Sequence, residues 1–219
     1  MGRRKKYRYA CNEENPFLVE AGKEIYEKIK GKRHTDFFKN TNPITLELAC
    51  GRGEYSTGFG PQFPERNFIG VDIRGDRIFH GLQKVDEQKL TNVGFLRAQI
   101  VHLDKYIAEN EIAEIRVVQP DPRPRDGDEK RRLTSKRFLE LYKKILQPGG
   151  VFHLKTDHSG FFEYSLESLQ ANGFEILDQT TNLHATPDLL AQQYGVVTRY
   201  EQMAIDQGET IKYLRARVK

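Results

Sequence analysis

Asp121 stands between two prolines in the stretch Gln119-Pro-Asp-Pro-Arg-Pro-Arg125, and Lys130, Arg131 and Arg132 follow it, with Arg137 a turn further on. Proline locks its own φ and biases the residue before it toward extended backbone, so this carboxylate is held rigidly on a loop. Arg123, Arg125, Lys130, Arg131 and Arg132 supply the point charges and forked donors that suit a polyphosphate. A fixed acid beside phosphate-binding cations points to chemistry on a nucleic acid. A charged surface loop is the plainer alternative.

A second constellation lies earlier, in Glu47-Leu-Ala-Cys-Gly-Arg-Gly53, with Asp72 nineteen residues further on. Glycines such as Gly51 and Gly53 at a strand-to-helix turn let backbone approach a ligand closely, and an acid ending the next strand can accept from the hydroxyls of a ribose. The nicotinamide fingerprint Gly-x-Gly-x-x-Gly fails, because Tyr55, Ser56 and Thr57 precede Gly58. Glu47 suits an ammonium group and would repel a pyrophosphate. An adenosyl sulfonium amino acid carries an amine and a ribose without phosphate, so S-adenosylmethionine is the favoured cofactor. Gln99 after the third predicted strand both donates and accepts, as recognition of an adenine edge requires. A solvated strand residue at Glu47 and an ordinary glutamine at Gln99 are the alternatives.

These residues need elements to carry them. Short apolar runs predict strands over residues 44–49, 67–72, 93–98, 115–119, 151–156, 174–178 and 211–217. Helical spacing predicts helices over 17–30, 75–90, 135–146 and 158–171, and Gly173 fits a left-handed C-cap. Strand and helix in alternation argue an α/β fold with a parallel, doubly wound sheet. A final strand, a partly helical excursion and a terminal strand resemble the seven-stranded Rossmann-like class I methyltransferases, whose last strand is antiparallel, with helices on both faces. The stretch 54–64, with Gly58, Gly60 and Pro61, predicts a poor helix.

At 219 residues the chain is long enough for one well-packed domain, expected over 17–219. An apolar content of 37% against 30% charge reads as soluble and globular with a polar surface, and no apolar run reaches the ~18 residues a membrane-spanning helix needs. Cys11 and Cys50 make neither a disulfide framework nor a metal-ligand spacing, the six histidines show no paired metal spacing, and the first residues lack a signal-peptide core. A cytoplasmic protein without a metal is expected. The net charge of +4 is unevenly placed. Residues 3–8 carry five cations and no acid, so residues 1–16 read as a basic arm, with disorder its favoured state.

With these pieces assembled, residues 44–217 resemble the bacterial tRNA (guanine-N7-)-methyltransferases. The family's glycine motif, roughly LEIGCGKG, is matched by LELACGRG, and its PDPWPK…KRR loop by Pro120 to Arg125 with Lys130-Arg-Arg132. Its Thr-Asp pair and its Thr-x-Tyr-Glu are matched by Thr156-Asp157 and Thr198-Arg-Tyr-Glu201. The resemblance implies cofactor contacts at Glu47, Asp72, Gln99 and Asp121, with Asp121 also catalytic, and the turn itself adds Gly51 and Gly53 to the cofactor-binding set. It implies tRNA or guanine contacts at Arg125, Lys130, Arg131, Arg132, Asp157, Thr198, Arg199, Tyr200 and Glu201. The expected reaction is methylation of N7 of a guanine in tRNA, at position 46 of the variable loop in the family, by a monomer or homodimer. The alternatives are an RNA-binding protein with an inactive methyltransferase fold and a methyltransferase with another nucleic-acid substrate. Ala49, Asp72, Gln99, Arg123 and Arg125 depart from the family's usual Gly, Glu, Asn or Asp, Trp and Lys. Thr198-x-x-Glu201 is also a capping box, and Thr156-Asp157 could cap the following helix.

Overall fold

The computed structural model describes residues 2–219. Runs rich in β-branched and large apolar residues form the central strands β2 (Ile44–Leu48), β3 (Asn67–Asp72), β4 (Val93–Arg97), β5 (Ile112–Val118) and β6 (Leu146–Thr156). The first two are buried along their whole length, as strands covered on both faces must be. A short edge strand β1 (Leu18–Val19) precedes them, and β7 (Phe174–Thr180) and β8 (Lys212–Val218) complete an eight-stranded sheet of order β1-β4-β3-β2-β5-β6-β8-β7. Every neighbouring pair is parallel except the two involving β8, which runs antiparallel to β6 and β7.

From β2 the sheet grows in opposite directions, to β3 on one side and β5 on the other. Such a reversal opens a crevice at the carboxyl ends of the strands, where α/β sheets bind ligands. The helices α3 (Glu54–Phe59) and α4 (Gly75–Gln88) pack Tyr55, Phe59, Ile78, Leu82 and Val85 against Phe68 and Phe95. Helices α5 (Lys136–Ile145) and α6 (Ser159–Ala171) bury Phe138, Leu139, Tyr142, Phe161 and Leu169 in the main core with Leu46, Leu48 and Val117. Gly173 has φ +83°, the left-handed cap its sequence suggests.

The α/β class and the antiparallel last strand match expectation; the amino-terminal part differs. Where helical spacing suggests one helix over 17–30, Leu18 and Val19 form β1 beside Phe95 and Leu96, and only α2 (Glu24–Lys28) is helical. Burying two apolar residues fully at the sheet edge outweighs local helical preference. The basic stretch is helix α1 (Arg3–Glu14), docked on α4. Its one buried residue, Asn12, donates from Nδ2 to the Gly75 carbonyl at 2.9 Å. Tyr9 lies under the Arg97 guanidinium, 4.6 Å from ring centroid to Cζ. A helix held by one buried amide and one half-buried aromatic ring leaves little apolar signal in its sequence.

Between β7 and β8 an insertion carries α7 (Pro187–Ala191) and α8 (Arg199–Asp206) around a small core of Leu183, Leu189, Ala204, Ile211 and Tyr213. It brings Thr198, Arg199 and Tyr200 to the crevice. No helix among the described residues is long and apolar enough to cross a membrane.

Candidate active site

Two adjoining cavities occupy the crevice, and Ala49 and Asp72 line both. The first, about 390 Å³, is walled by Glu47, Gly51, Glu54, Gln119, Asp121, Thr198 and Tyr200 among others. The second, about 280 Å³, is mainly apolar and is walled by Ile73, Ala98, Gln99, Ile100, Val101 and Phe138. A polar chamber and an apolar slot joined at an acidic residue suit a ligand with a charged tail, a ribose and a flat heteroaromatic base.

Glu47 lies on β2 and is almost fully buried. Its Oε2 accepts from the Ser56 amide at 2.8 Å and the Ser56 hydroxyl at 2.7 Å. Burial pushes its carboxyl up to about 7, against the opposing effect of the Ser56 donors. Gly51 and Gly53 follow with φ +56° and +66°. A Cβ on Gly53 would meet the Phe95 ring at 2.4 Å, whereas one on Gly51 would meet nothing within 4 Å. Gly53 therefore serves packing, and Gly51 presents bare backbone to the chamber. Ala49, where the family has glycine, holds φ +56°, a conformation that costs a non-glycine residue roughly 1–2 kcal/mol.

Asp72 ends β3 with both oxygens held, Oδ2 by the Gly51 amide at 2.9 Å and Oδ1 by the Arg74 amide at 2.8 Å. Each carboxylate oxygen keeps a further acceptor site, so the ribose role remains open to it. Gln99 stands in the apolar slot at the start of the turn Ile100–Lys105. The donor set, the bare Gly51 backbone and the apolar slot together fit an adenosyl sulfonium amino acid. Glu47 would meet its ammonium, Asp72 its ribose, and Gln99 with Ile73 and Val101 its base.

Asp121 sits at the tip of β5 on the polar chamber's wall. Its Oδ1 accepts from the Arg123 amide at 3.2 Å, and its Oδ2 pairs with the Arg123 guanidinium at 3.2 Å. Its side chain is 59% exposed, so that ion pair contributes little, and the acid is available to a ligand. Arg125 and Lys130 are exposed and make no side-chain hydrogen bond or ion pair. Arg131 pairs with Asp128 at 3.0 Å and borders the apolar slot. Arg132 is turned inward, its Nε donating to the Arg123 carbonyl at 3.1 Å and its guanidinium stacked 4.4 Å over Tyr164. That fork braces the acidic loop, a positioning task that differs from the expected phosphate contact.

Thr198 caps α8, its hydroxyl accepting from the Glu201 amide at 3.2 Å. Glu201 is a correction to the expected substrate contacts. It is 0% exposed, with Oε2 2.6 Å from the Lys155 ammonium and Oε1 3.1 Å from His184 Nε2. Burial pulls the Lys155 ammonium down from the usual lysine range, and Glu201 opposes that. Lys155 also donates to the Tyr55 hydroxyl at 2.7 Å, which donates to Gln193 at 3.0 Å. As placed, this carboxylate belongs to a buried network and not to the chamber wall. Thr198, Arg199 and the half-exposed Tyr200 do line the chamber. Asp157 is exposed and leaves the capping of α6 to His158, whose Nδ1 accepts from the Phe161 amide at 3.1 Å.

Several lining residues escape sequence reading. Arg77 and His80 reach the chamber from one face of α4, a three-residue spacing that was available as a signal. Arg8 reaches it from α1, and Ile73, 53% exposed beyond Asp72, walls the slot. Nothing local in the sequence marks either. Among the described residues no group of three His, Cys, Asp or Glu side chains could hold a metal ion.

A family model described as a putative methyltransferase matches residues 41–214. The tRNA (guanine-N(7)-)-methyltransferase of Porphyromonas gingivalis is 43% identical over 199 residues, covering 91% of this chain and 81% of that protein. That of Cytophaga hutchinsonii is 40% identical over 217 residues, covering 98% and 97%. Among solved structures, the 16S rRNA methyltransferase KamB superposes with a TM-score of 0.64 at 13% identity, covering 91% of this chain and 95% of that one. That likeness concerns the fold alone.

Proposed function

The chain belongs to the tRNA (guanine-N(7)-)-methyltransferase family, and we propose that it methylates N7 of a guanine in the tRNA variable loop from S-adenosylmethionine, with Asp121 as the catalytic residue. The observation that carries this reading is the convergence of Glu47, Gly51, Asp72 and Asp121 on one cleft at the switch point of the sheet. In this reading the protein acts in the cytoplasm as a monomer or homodimer.

Bound in the cleft, S-adenosylmethionine would supply an electrophilic methyl group for transfer to N7. Guanine N7 offers an in-plane lone pair and loses no proton in the attack, so the site needs no strong general base. Positive charge develops on the purine as the methyl arrives. Asp121, fixed by its proline neighbours and by the Arg123 amide, accepts a guanine N–H and offsets that charge. The chamber walls hold the base in line, and orientation of this kind supplies at most about 7–11 kcal/mol. Arg125 and Lys130 hold the RNA backbone. Methylated guanosine mapped in tRNA from cells with and without this protein tests the assignment; an unchanged map would overturn it.

Two smaller predictions arise here. Arg125→Ala combined with Lys130→Ala raises KM for tRNA several-fold with little change in kcat. Each lost phosphate contact also reduces the slope of log KM against log salt by about 0.7–0.9. An unchanged slope would place both cations in solvent. Separately, Glu47 with a carboxyl near 7 is partly protonated at neutral pH. An ammonium beside it draws that value down, so binding expels a proton and cofactor affinity rises as pH increases from about 6 to 8. Calorimetry in buffers of different ionisation enthalpy reads the proton release, which Glu47→Gln eliminates.

A further inference from the structure

Gln119 ends β5 immediately before Pro120 and Asp121, with φ +46°. A non-glycine residue in left-handed backbone costs roughly 1–3 kcal/mol, and such strain persists where surrounding structure enforces it, often at functional sites. Its own amide donates to the Lys155 carbonyl at 2.9 Å, keeping it in register with β6. Its side-chain oxygen accepts from the Asp157 amide at 3.1 Å. That contact fixes which end of the carboxamide is oxygen, because an amide N–H requires an acceptor. The other end, Nε2, is shielded from solvent and has no hydrogen-bond partner in the protein. A buried donor left unpaired costs about 1–3 kcal/mol, and native proteins rarely tolerate one without a use. Gln119 lines the same chamber as Asp121.

The geometry points to Gln119 as the residue that selects guanine over adenine, its Nε2 donating to O6 of the substrate base. The inference rests on the reading of this cleft as a guanine-N7 methylation site. The two purines present the same N7 acceptor on this edge but opposite groups beside it, O6 as an acceptor in guanine and N6 as a donor in adenine. N7 must be left free for the methyl group, so discrimination on this edge comes from the neighbouring position, in addition to the guanine N–H that Asp121 accepts. A carboxamide whose oxygen is already committed to Asp157 cannot flip to receive an adenine amino group. Guanine satisfies the orphan donor once a small shift of the chamber wall uncovers it, and adenine would oppose it with a second donor. The Asp157 backbone therefore acts in specificity by locking the Gln119 side chain.

Gln119→Glu tests this, since it keeps an acceptor for the Asp157 amide and replaces the amino donor with a carboxylate oxygen that repels O6. The substrates are tRNAs carrying guanine or 2-aminopurine at the target position; the analogue retains N7 and the 2-amino group and lacks O6 and the N1 proton, a second difference that wild type and variant share. Wild type prefers guanine strongly, and the variant's ratio of kcat/KM between the two bases falls at least about 10-fold. Binding of S-adenosylhomocysteine stays within about 3-fold. Should the glutamate variant fail to fold, Gln119→Met is read by the same ratio. Equal losses on both bases, or a ratio within 2-fold of wild type, would overturn the role. Wild type that transfers no methyl to guanine-bearing tRNA would instead sink the underlying functional reading.

Discussion

Asp121→Ala lowers kcat for methyl transfer to tRNA by about 10³ or more while weakening cofactor binding less than about 10-fold. The size follows from what the side chain does. Removing one preorganised electrostatic partner from a reacting centre costs about 10²–10³ in rate, and here the same group also orients the base. Asp121 carries no other duty that would hide this effect. It is largely exposed, and among the described residues its only protein partners are the amide and guanidinium of Arg123. Its loss therefore leaves the fold intact. Asp121→Asn, which keeps the shape and loses the charge, falls between the two. Radiolabelled methyl transfer measures the rate, and calorimetry with S-adenosylhomocysteine measures the binding. Near-normal turnover in the alanine variant would remove Asp121 from the mechanism.

Glu201→Ala acts on stability. The Lys155 ammonium is 2% exposed and Glu201 fully buried, so deleting the carboxylate strands a cation away from water. Breaking a buried pair in this way costs about 3–5 kcal/mol. At roughly 2–4 °C per kcal/mol for a chain of this length, Tm falls by roughly 6–20 °C. Glu201 also receives His184, so the variant releases the insertion that carries Thr198 and Tyr200. Lys155→Met in the same chain recovers part of the loss, because it removes the stranded charge. A Tm within 2 °C of wild type would mean that this carboxylate faces solvent or ligand after all.

The difference between these two acids explains what sequence alone could reveal. Asp121 is legible because its neighbours restrict it locally; prolines and clustered arginines act within a few residues. Asp72 and the glycine turn are legible for a similar reason, since a strand end, a tight turn and an acid follow one another along the chain. Glu201 is not, because its partner Lys155 lies 46 residues away on another element and only folding brings them together. Within Thr198-x-x-Glu201 the capping hydroxyl behaves as the spacing suggests, while the acid turns inward. Residues 17–30 mislead because helical spacing and a buried edge strand both place apolar groups close together; the pairing with β4 decides between them. The basic stretch conceals α1, whose docking depends on one amide and on aromatic faces rather than an apolar stripe. Arg132 reads as a phosphate ligand, yet Tyr164 and the Arg123 carbonyl claim it from the opposite side of the loop.

The carboxylate of Asp72 clamps the turn after β2 to the start of α4 through two backbone amides. The cofactor seat is thus assembled by the protein itself. Its ordering entropy is lost during folding, and a nucleoside entering it needs no loop closure to complete its contacts. Association at that seat should follow a single fast phase, leaving any slow conformational search to the RNA, whose guanine must leave its own stack to reach the methyl group.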